Sequence, residues 1–131
     1  MGRVLVGERN LDHRNLLKET FGRLAPSVHL DFASNGEDVL KCLADQDGEP
    51  TVIVLDPNLP SAFSGSLVRV IKSNARYSRI PIVILADQAG ADYYALRGSG
   101  LVALSFLKPS QANGWELLVR RVIDLAGPEI A

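Results

Sequence analysis

One carboxylate and one lysine stand at the ends of two strongly apolar runs in this sequence. The run Val52–Leu55 leads directly into Asp56, and a second run, residues 101–107, leads into Lys108. Short apolar runs bounded by turn residues are typical of strands that are buried on both faces of a parallel sheet. In open α/β sheets, the residues at the carboxyl ends of the strands line the ligand-binding edge. The pattern therefore predicts a reactive carboxylate, Asp56, with a cationic partner, Lys108.

The other apolar segments alternate between strand and helix periodicity. Strands are predicted at residues 3–6, 28–32, 51–55, 82–85 and 101–107, and helices at residues 13–24, 37–44, 91–97 and 113–126. A further helix is predicted from the apolar spacing of Leu67, Val70 and Ile71, and Asp12 is predicted to cap the first helix. The alternation predicts an α/β fold with a parallel sheet and helices on both faces. The strand at residues 28–32 alternates apolar and polar side chains, which favours an edge position.

Length and composition predict one globular domain over residues 1–131, because 47% of the residues are hydrophobic and the chain suffices for a single core. The net charge is −1 and basic residues form no runs, so we expect no nucleic-acid partner. No apolar stretch approaches the ~18–20 residues of a membrane span, so no membrane partner is expected. The lone cysteine, Cys42, favours a reducing compartment. We therefore expect a cytoplasmic protein.

In order and spacing, these segments resemble the receiver domain of response regulators, the CheY-like family. The resemblance covers essentially the whole chain and rests on the segments GERNLDHRNLLKETF, HLDFASNGEDVL, VLDPNLP, IPIVIL and LKP. Each segment is weakly specific by itself, whereas their order and spacing together are strongly specific. The resemblance implies a doubly wound, flavodoxin-like sheet of five parallel strands in the order 2-1-3-4-5, the order known from CheY.

The resemblance also implies roles for individual residues. Asp56 matches the aspartate that accepts a phosphoryl group, and Lys108 matches the lysine that grips this group together with a hydroxyl residue after the fourth strand. Glu8 matches the first of two acids that hold Mg²⁺ together with the phosphoacceptor. Asn58 matches the residue that lends its backbone carbonyl to the metal. The acids cluster because Mg²⁺ requires near-octahedral oxygen ligands and few protein carboxylates.

Several positions depart from the family's pattern. Arg9 stands where the second metal-binding acid belongs, so magnesium binding is expected to be weak or absent. Ala86 stands where the hydroxyl residue belongs, and Asp87 follows where a small residue is usual. Ser105 replaces the aromatic residue of the family's switch, and Phe106, one step away, is expected on the other face of the sheet. The resemblance therefore implies a receiver with altered metal-binding and switch positions.

Arg9 has two interpretations. It is either a solvated loop residue or a substitute for the missing cation, with its guanidinium neutralising Glu8 and Asp56 through fork-like hydrogen bonds. The residue types leave both interpretations open. In either case Glu8, Arg9, Ala86 and Asp87 are expected to lie in one pocket with Asp56.

Two non-enzymatic functions agree with the pattern. The first is a stand-alone receiver in a two-component phosphorelay. It would take a phosphoryl group from a histidine kinase or a phosphotransfer protein onto Asp56 and act through a downstream protein partner. The second is a pseudo-receiver that binds partners independently of phosphorylation, which Arg9, Ala86 and Ser105 favour. An aspartate-nucleophile phosphatase is disfavoured, because Asn58 stands where such an enzyme has a second acid. A homodimer through the last helices remains an open alternative.

Overall fold

Strands and helices alternate along the chain in the computed structural model, which describes residues 2–45, 49–60 and 64–127. The strands are β1 (Arg3–Gly7), β2 (His29–Ala33), β3 (Val52–Leu55), β4 (Ile82–Ala86) and β5 (Leu104–Leu107). The helices are α1 (Leu11–Leu24), α2 (Gly36–Asp45), α3 (Ser64–Ser73), α4 (Ala91–Arg97) and α5 (Ala112–Ala126).

The five strands form one parallel sheet in the order β2-β1-β3-β4-β5. In the register of this sheet, Val6 lies between Phe32 of β2 and Val54 of β3. The predicted fold class, the predicted strand order and the edge position of β2 are confirmed. Because all strands run in one direction, the loops that follow β1, β3, β4 and β5 meet at one edge of the sheet.

Two apolar layers hold the helices against the sheet. On one face, strand residues such as Leu5 and Ile53 pack against α2, α3 and α4. On the other face, Val6 and Val54 pack against α1 and α5. Neighbouring residues belong to different layers because successive side chains of a strand point to opposite faces. Strands β3 and β4 are buried along their whole length, which explains their uninterrupted apolar sequences.

Helix α1 begins two residues earlier than the sequence pattern predicts. Its cap is Asn10, whose side chain accepts a hydrogen bond from the His13 backbone N–H at 3.1 Å. The predicted cap, Asp12, lies inside the first turn, where its negative charge interacts favourably with the helix dipole. The prediction of Asp12 as the cap is therefore wrong, although the helix itself is confirmed.

Two further details differ from the prediction. Strand β5 covers Leu104–Leu107 instead of residues 101–107, because the Leu101 N–H donates to Ser99 Oγ at 3.1 Å and not to the sheet. In α3, Val70 is 49% exposed, whereas the other two residues of the predicted apolar stripe are buried. Val70 lies off the buried face because that face is centred on Leu67, Val68 and Ile71. At 3.6 residues per turn, Val70 projects about 100° away from its centre.

The described helices are short and amphipathic. The longest of them, α5, has 15 residues and buries Trp115, Leu118 and Val122 on one side. Within the described ranges, no helix is both long enough and apolar enough to cross a membrane.

Candidate functional site

Four loops at the carboxyl edge of the sheet bring most of the predicted site residues together. Glu8 follows β1, Asp56 follows β3, Asp87 follows β4 and Lys108 follows β5. The side chains of Glu8, Asp56 and Lys108 are 2%, 8% and 5% exposed, whereas that of Asp87 is 49% exposed. We call these four residues the Lys108 cluster.

The Lys108 ammonium lies at the centre of this cluster. Its Nζ is 2.6 Å from Asp56 Oδ2, 2.6 Å from Glu8 Oε1 and 3.2 Å from Asp87 Oδ1. The contact with Asp56 has hydrogen-bond geometry, whereas Glu8 Oε1 makes a close ion pair without a well-aligned hydrogen bond. An ammonium group has three donors and no acceptor, so its donor capacity matches the three carboxylates.

Burial and charge act in opposite directions on Lys108. Burial lowers the pKa of its ammonium, but the hydrogen bond to Asp56, the close contact with Glu8 and the negative charges of both carboxylates outweigh burial, so the pKa lies above its ordinary value. Lys108 is therefore a cation at neutral pH. It compensates one negative charge of the cluster and leaves an excess of negative charge at this edge of the sheet.

Asp56 is oriented by the turn that follows β3. Its Oδ1 accepts a hydrogen bond from the Asn58 backbone N–H at 2.8 Å, and its Oδ2 accepts one from Lys108 at 2.6 Å. Its backbone N–H donates to the Gly7 carbonyl at 2.9 Å, which extends the pairing of β1 with β3. An aspartate that bonds to the backbone two residues ahead is a common turn former. The turn therefore holds one carboxylate oxygen in place, and Lys108 holds the other.

Glu8 is held by the loop between β1 and α1. Its Oε2 accepts the Asn10 backbone N–H at 3.0 Å, and its own backbone N–H donates to the Ala33 carbonyl at 3.0 Å. The His13 Nδ1 lies 3.9 Å from Glu8 Oε1, and its ring lies 5.5 Å from the Trp115 ring. The sequence pattern identifies His13 only as a residue at the start of a helix.

Helix α5 anchors the turn that carries Lys108. The Lys108 N–H donates to the Ala86 carbonyl at 2.8 Å, and the Trp115 indole N–H donates to the Pro109 carbonyl at 3.1 Å. A Cβ atom on Gly114 would lie 2.5 Å from the Pro109 Cβ, so glycine is required for this close approach. The packing of α5 therefore determines where Lys108 leaves the sheet.

Arg9 does not bridge the two buried carboxylates. It is exposed and lines the rim of a cavity of about 120 Å³ beside Glu8 and Asp56. Within the described part of the chain, the ion pair shared by Glu8 and Asp56 is with Lys108, and Arg9 makes none with them. Arg9 is therefore a solvated loop residue in the structure, and its interpretation as a substitute cation is wrong.

The described residues fit a magnesium ion poorly. Glu8 and Asp56 would supply carboxylates and Asn58 a carbonyl, but the Lys108 ammonium lies within 2.6 Å of both carboxylates. No group of three or more His, Cys, Asp or Glu side chains arranged to hold a metal occurs in the described ranges. A positive charge between two ligands repels a divalent cation.

The chain resembles response regulators in sequence and in structure. No protein-family model matches it. It is similar in sequence to the chemotaxis protein CheY1 of Helicobacter pylori, with 27% identity over 88 residues, which are 67% of this chain and 69% of that protein. It is similar in structure to the phosphorylated cyanobacterial phytochrome response regulator RcpA, with a TM-score of 0.84 and 19% identity over 99% of this chain and 96% of that one. The Mn²⁺-bound response regulator Rcp1 has a TM-score of 0.80 and 22% identity over 93% and 91% of the two chains. The chain has the CheY-like receiver fold.

Ala86 and Ser105, the two positions at which the resemblance implies an altered switch, lie on neighbouring strands. Ala86 ends β4 and is fully buried, so no hydroxyl points toward Asp56 from this position. Ser105 of β5 pairs with Ile84, and the next residue, Phe106, packs in the layer of α1 and α5. Ser105 and Phe106 therefore face opposite sides of the sheet, as predicted.

Proposed function

We propose that this chain is a cytoplasmic receiver of two-component signalling in which Asp56 accepts a phosphoryl group slowly and with little dependence on magnesium. The observation that carries the proposal is the contact of 2.6 Å between Asp56 Oδ2 and the Lys108 ammonium at the carboxyl edge of a receiver fold. The donor would be a histidine kinase or a phosphotransfer protein, and a downstream protein would bind the product. The similarity to CheY1 and to phosphorylated RcpA supports this class of reaction.

The reaction would be a phosphoryl transfer to a carboxylate. An Asp56 oxygen attacks phosphorus, and a new P–O bond forms while the P–N bond to the donor histidine breaks. The imidazole nitrogen keeps the bonding electron pair and takes up a proton from solvent. Lys108 supplies positive charge where the transferred oxygens carry negative charge. The reaction would be slow because both Asp56 oxygens accept hydrogen bonds, which lower the nucleophilicity of the carboxylate.

Magnesium is expected to bind weakly here. Rcp1 was solved with Mn²⁺ bound. In the present chain Arg9 stands in place of one acid, and Lys108 lies between the two carboxylates that remain. A cation within a few Å of the metal position costs on the order of a few kcal/mol at an effective dielectric constant of ~20.

Phosphorylation by acetyl phosphate tests the proposal. The protein is incubated with and without magnesium chloride, and the intact mass is followed over time. The Asp56→Asn variant should lose the modification, and Asp92→Asn, an exposed aspartate of α4, should keep it. We expect slow, single modification with little dependence on magnesium. Absence of modification by acetyl phosphate and by a phosphorylated phosphotransfer protein would contradict the proposal.

A second function, a phosphorylation-independent interaction module, is favoured by the switch positions. Ala86 has no hydroxyl to move toward a phosphoryl group, and Ser105 has no ring to follow it. A modification shifts a conformational equilibrium only through contacts that differ between the two states. Under this alternative, modification of Asp56 changes the amide NMR shifts around the cleft but leaves those of β5 and α5 unchanged. Large changes across β5 and α5 would instead indicate a working switch.

A further inference from the structure

Asp87 is the member of the Lys108 cluster that faces solvent. Its side chain is 49% exposed, against 2–8% for the other three residues. Its Oδ1 lies 3.2 Å from Lys108 Nζ, farther than the 2.6 Å of Glu8 and of Asp56. Asp87 also lines the cavity of about 120 Å³ beside Asp56. It therefore holds Lys108 on the side from which solutes enter.

We propose that Asp87 competes with incoming anions for Lys108 and so lowers the affinity of the cleft for phosphate and phosphoryl groups. One of the three donors of the ammonium bonds to Asp56, and Glu8 Oε1 lies within ion-pair distance. Asp87, at 3.2 Å, is the exposed carboxylate beside a remaining donor. A phosphate group in the cavity gains this donor only after Asp87 leaves it. The biological meaning of the inference rests on the proposed phosphoacceptor role of Asp56, but the competition itself does not.

The geometry identifies Asp87 as the carboxylate that an anion displaces. Glu8 is anchored by the Asn10 N–H, and Asp56 is anchored by the Asn58 N–H. The Asp87 side chain has the Lys108 contact as its ion pair and is surrounded by water over about half of its surface. Displacing it therefore requires neither the exposure of a buried charge nor the loss of a backbone hydrogen bond.

Asp87 also places a negative charge close to the position of the anion. Two like charges about 4 Å apart repel moderately when water screens them and more strongly in the interior of a protein. Because Asp87 is half exposed, the weaker, water-screened repulsion applies. Removing this charge should raise the affinity for phosphate about fivefold to tenfold.

Asp87→Asn tests the inference, because it removes the charge and nearly keeps the shape of the side chain. Asp92→Asn is the matched control, an exposed aspartate of the neighbouring helix. Inorganic phosphate is titrated into both variants and the wild type, and the amide NMR shifts of Asp56, Asn58 and residues 86–88 give the affinities. We expect about fivefold to tenfold tighter binding in Asp87→Asn alone, and no such gain when Lys108→Met is combined with it. Equal affinities of the two variants, including no detectable binding in either, would overturn the inference.

The same variants separate this inference from the proposed function. If Asp87→Asn binds phosphate more tightly but acetyl phosphate modifies no variant, the competition is real and the phosphoacceptor role of Asp56 is wrong. If Asp56 is modified at equal rates in wild type and Asp87→Asn, with equal affinities for phosphate, the phosphoacceptor role holds and the competition is wrong.

Discussion

Replacing Lys108 by methionine removes the charge between two buried carboxylates while keeping much of the side-chain volume. Glu8 and Asp56 are 2% and 8% exposed, so little solvent is available to stabilise them after the change. Removing one partner of a buried ion pair typically costs about 3–5 kcal/mol. Asp87 is half exposed and adds little to this cost. We expect the free energy of unfolding at pH 7 to fall by about 3–5 kcal/mol, a large part of the ~5–15 kcal/mol of an ordinary domain.

Urea unfolding followed by the fluorescence of Trp115, the single tryptophan, measures this change. Lys41→Met is the matched control, because Lys41 is an exposed lysine of α2. The deficit should shrink at acidic pH, where protonation removes the repulsion between the carboxylates and the folded variant binds more protons than its unfolded chain. If Lys108→Met lowers the free energy of unfolding at pH 7 by an amount within about 1 kcal/mol of that of Lys41→Met, Lys108 does not stabilise the buried carboxylates. A change of that size is typical of a surface substitution.

The free energy of unfolding of the wild-type protein should fall at strongly alkaline pH, where Lys108 loses its proton. Urea unfolding over a range of alkaline pH measures this change. The folded-state pKa of Lys108 lies above its ordinary value of 10.5. Its contribution to stability is therefore fully present at neutral pH and is lost only as the pH rises through the raised pKa.

Three further predictions concern the surroundings of the cluster. Gly114→Ala should destabilise the protein by about 1–3 kcal/mol, because its Cβ would overlap the proline of the Lys108 turn, whereas Gly22→Ala, with open space around it, should be neutral or stabilising in the same thermal unfolding assay. Lys72→Met should cost about 1–3 kcal/mol in urea unfolding, because the Lys72 ammonium donates to two carbonyls of the α3–β4 loop. Arg9→Asp should strengthen magnesium binding measured by titration calorimetry, because it adds a carboxylate to the cavity beside Glu8 and Asp56.

The sequence predicts the sheet and the location of the site because both depend on local pattern. The run Val52–Leu55 is continuously apolar because it is buried on both faces, and Asp56 follows it where a ligand edge must lie. The identity of the cation beside Glu8 could not be predicted in this way. Arg9 and Lys108 are both basic and both follow strands, and only the three-dimensional course of their side chains decides between them.

The proximity of His13 to Glu8 was also beyond the sequence pattern. It depends on how α1 packs against α5, where the His13 ring lies beside Trp115. The choice of helix cap was ambiguous for a different reason. Asn10 and Asp12 are both strong capping residues. The cap is Asn10, because its backbone is still extended, whereas Asp12 already lies in the first helical turn.

The altered positions around Asp56 move negative charge from one side of the site to the other. In the family's pattern a second acid stands after the first strand, where this chain has Arg9, and a small residue stands where it has Asp87. Three carboxylates therefore still surround Lys108, but one of them now follows β4 instead of β1. The implied metal side has lost a ligand, and the side that would receive phosphoryl oxygens has gained a like charge. Under the proposed function, the contact between Asp56 and Lys108 would therefore support only slow phosphorylation, because the charges around them disfavour both the metal and the phosphoryl group.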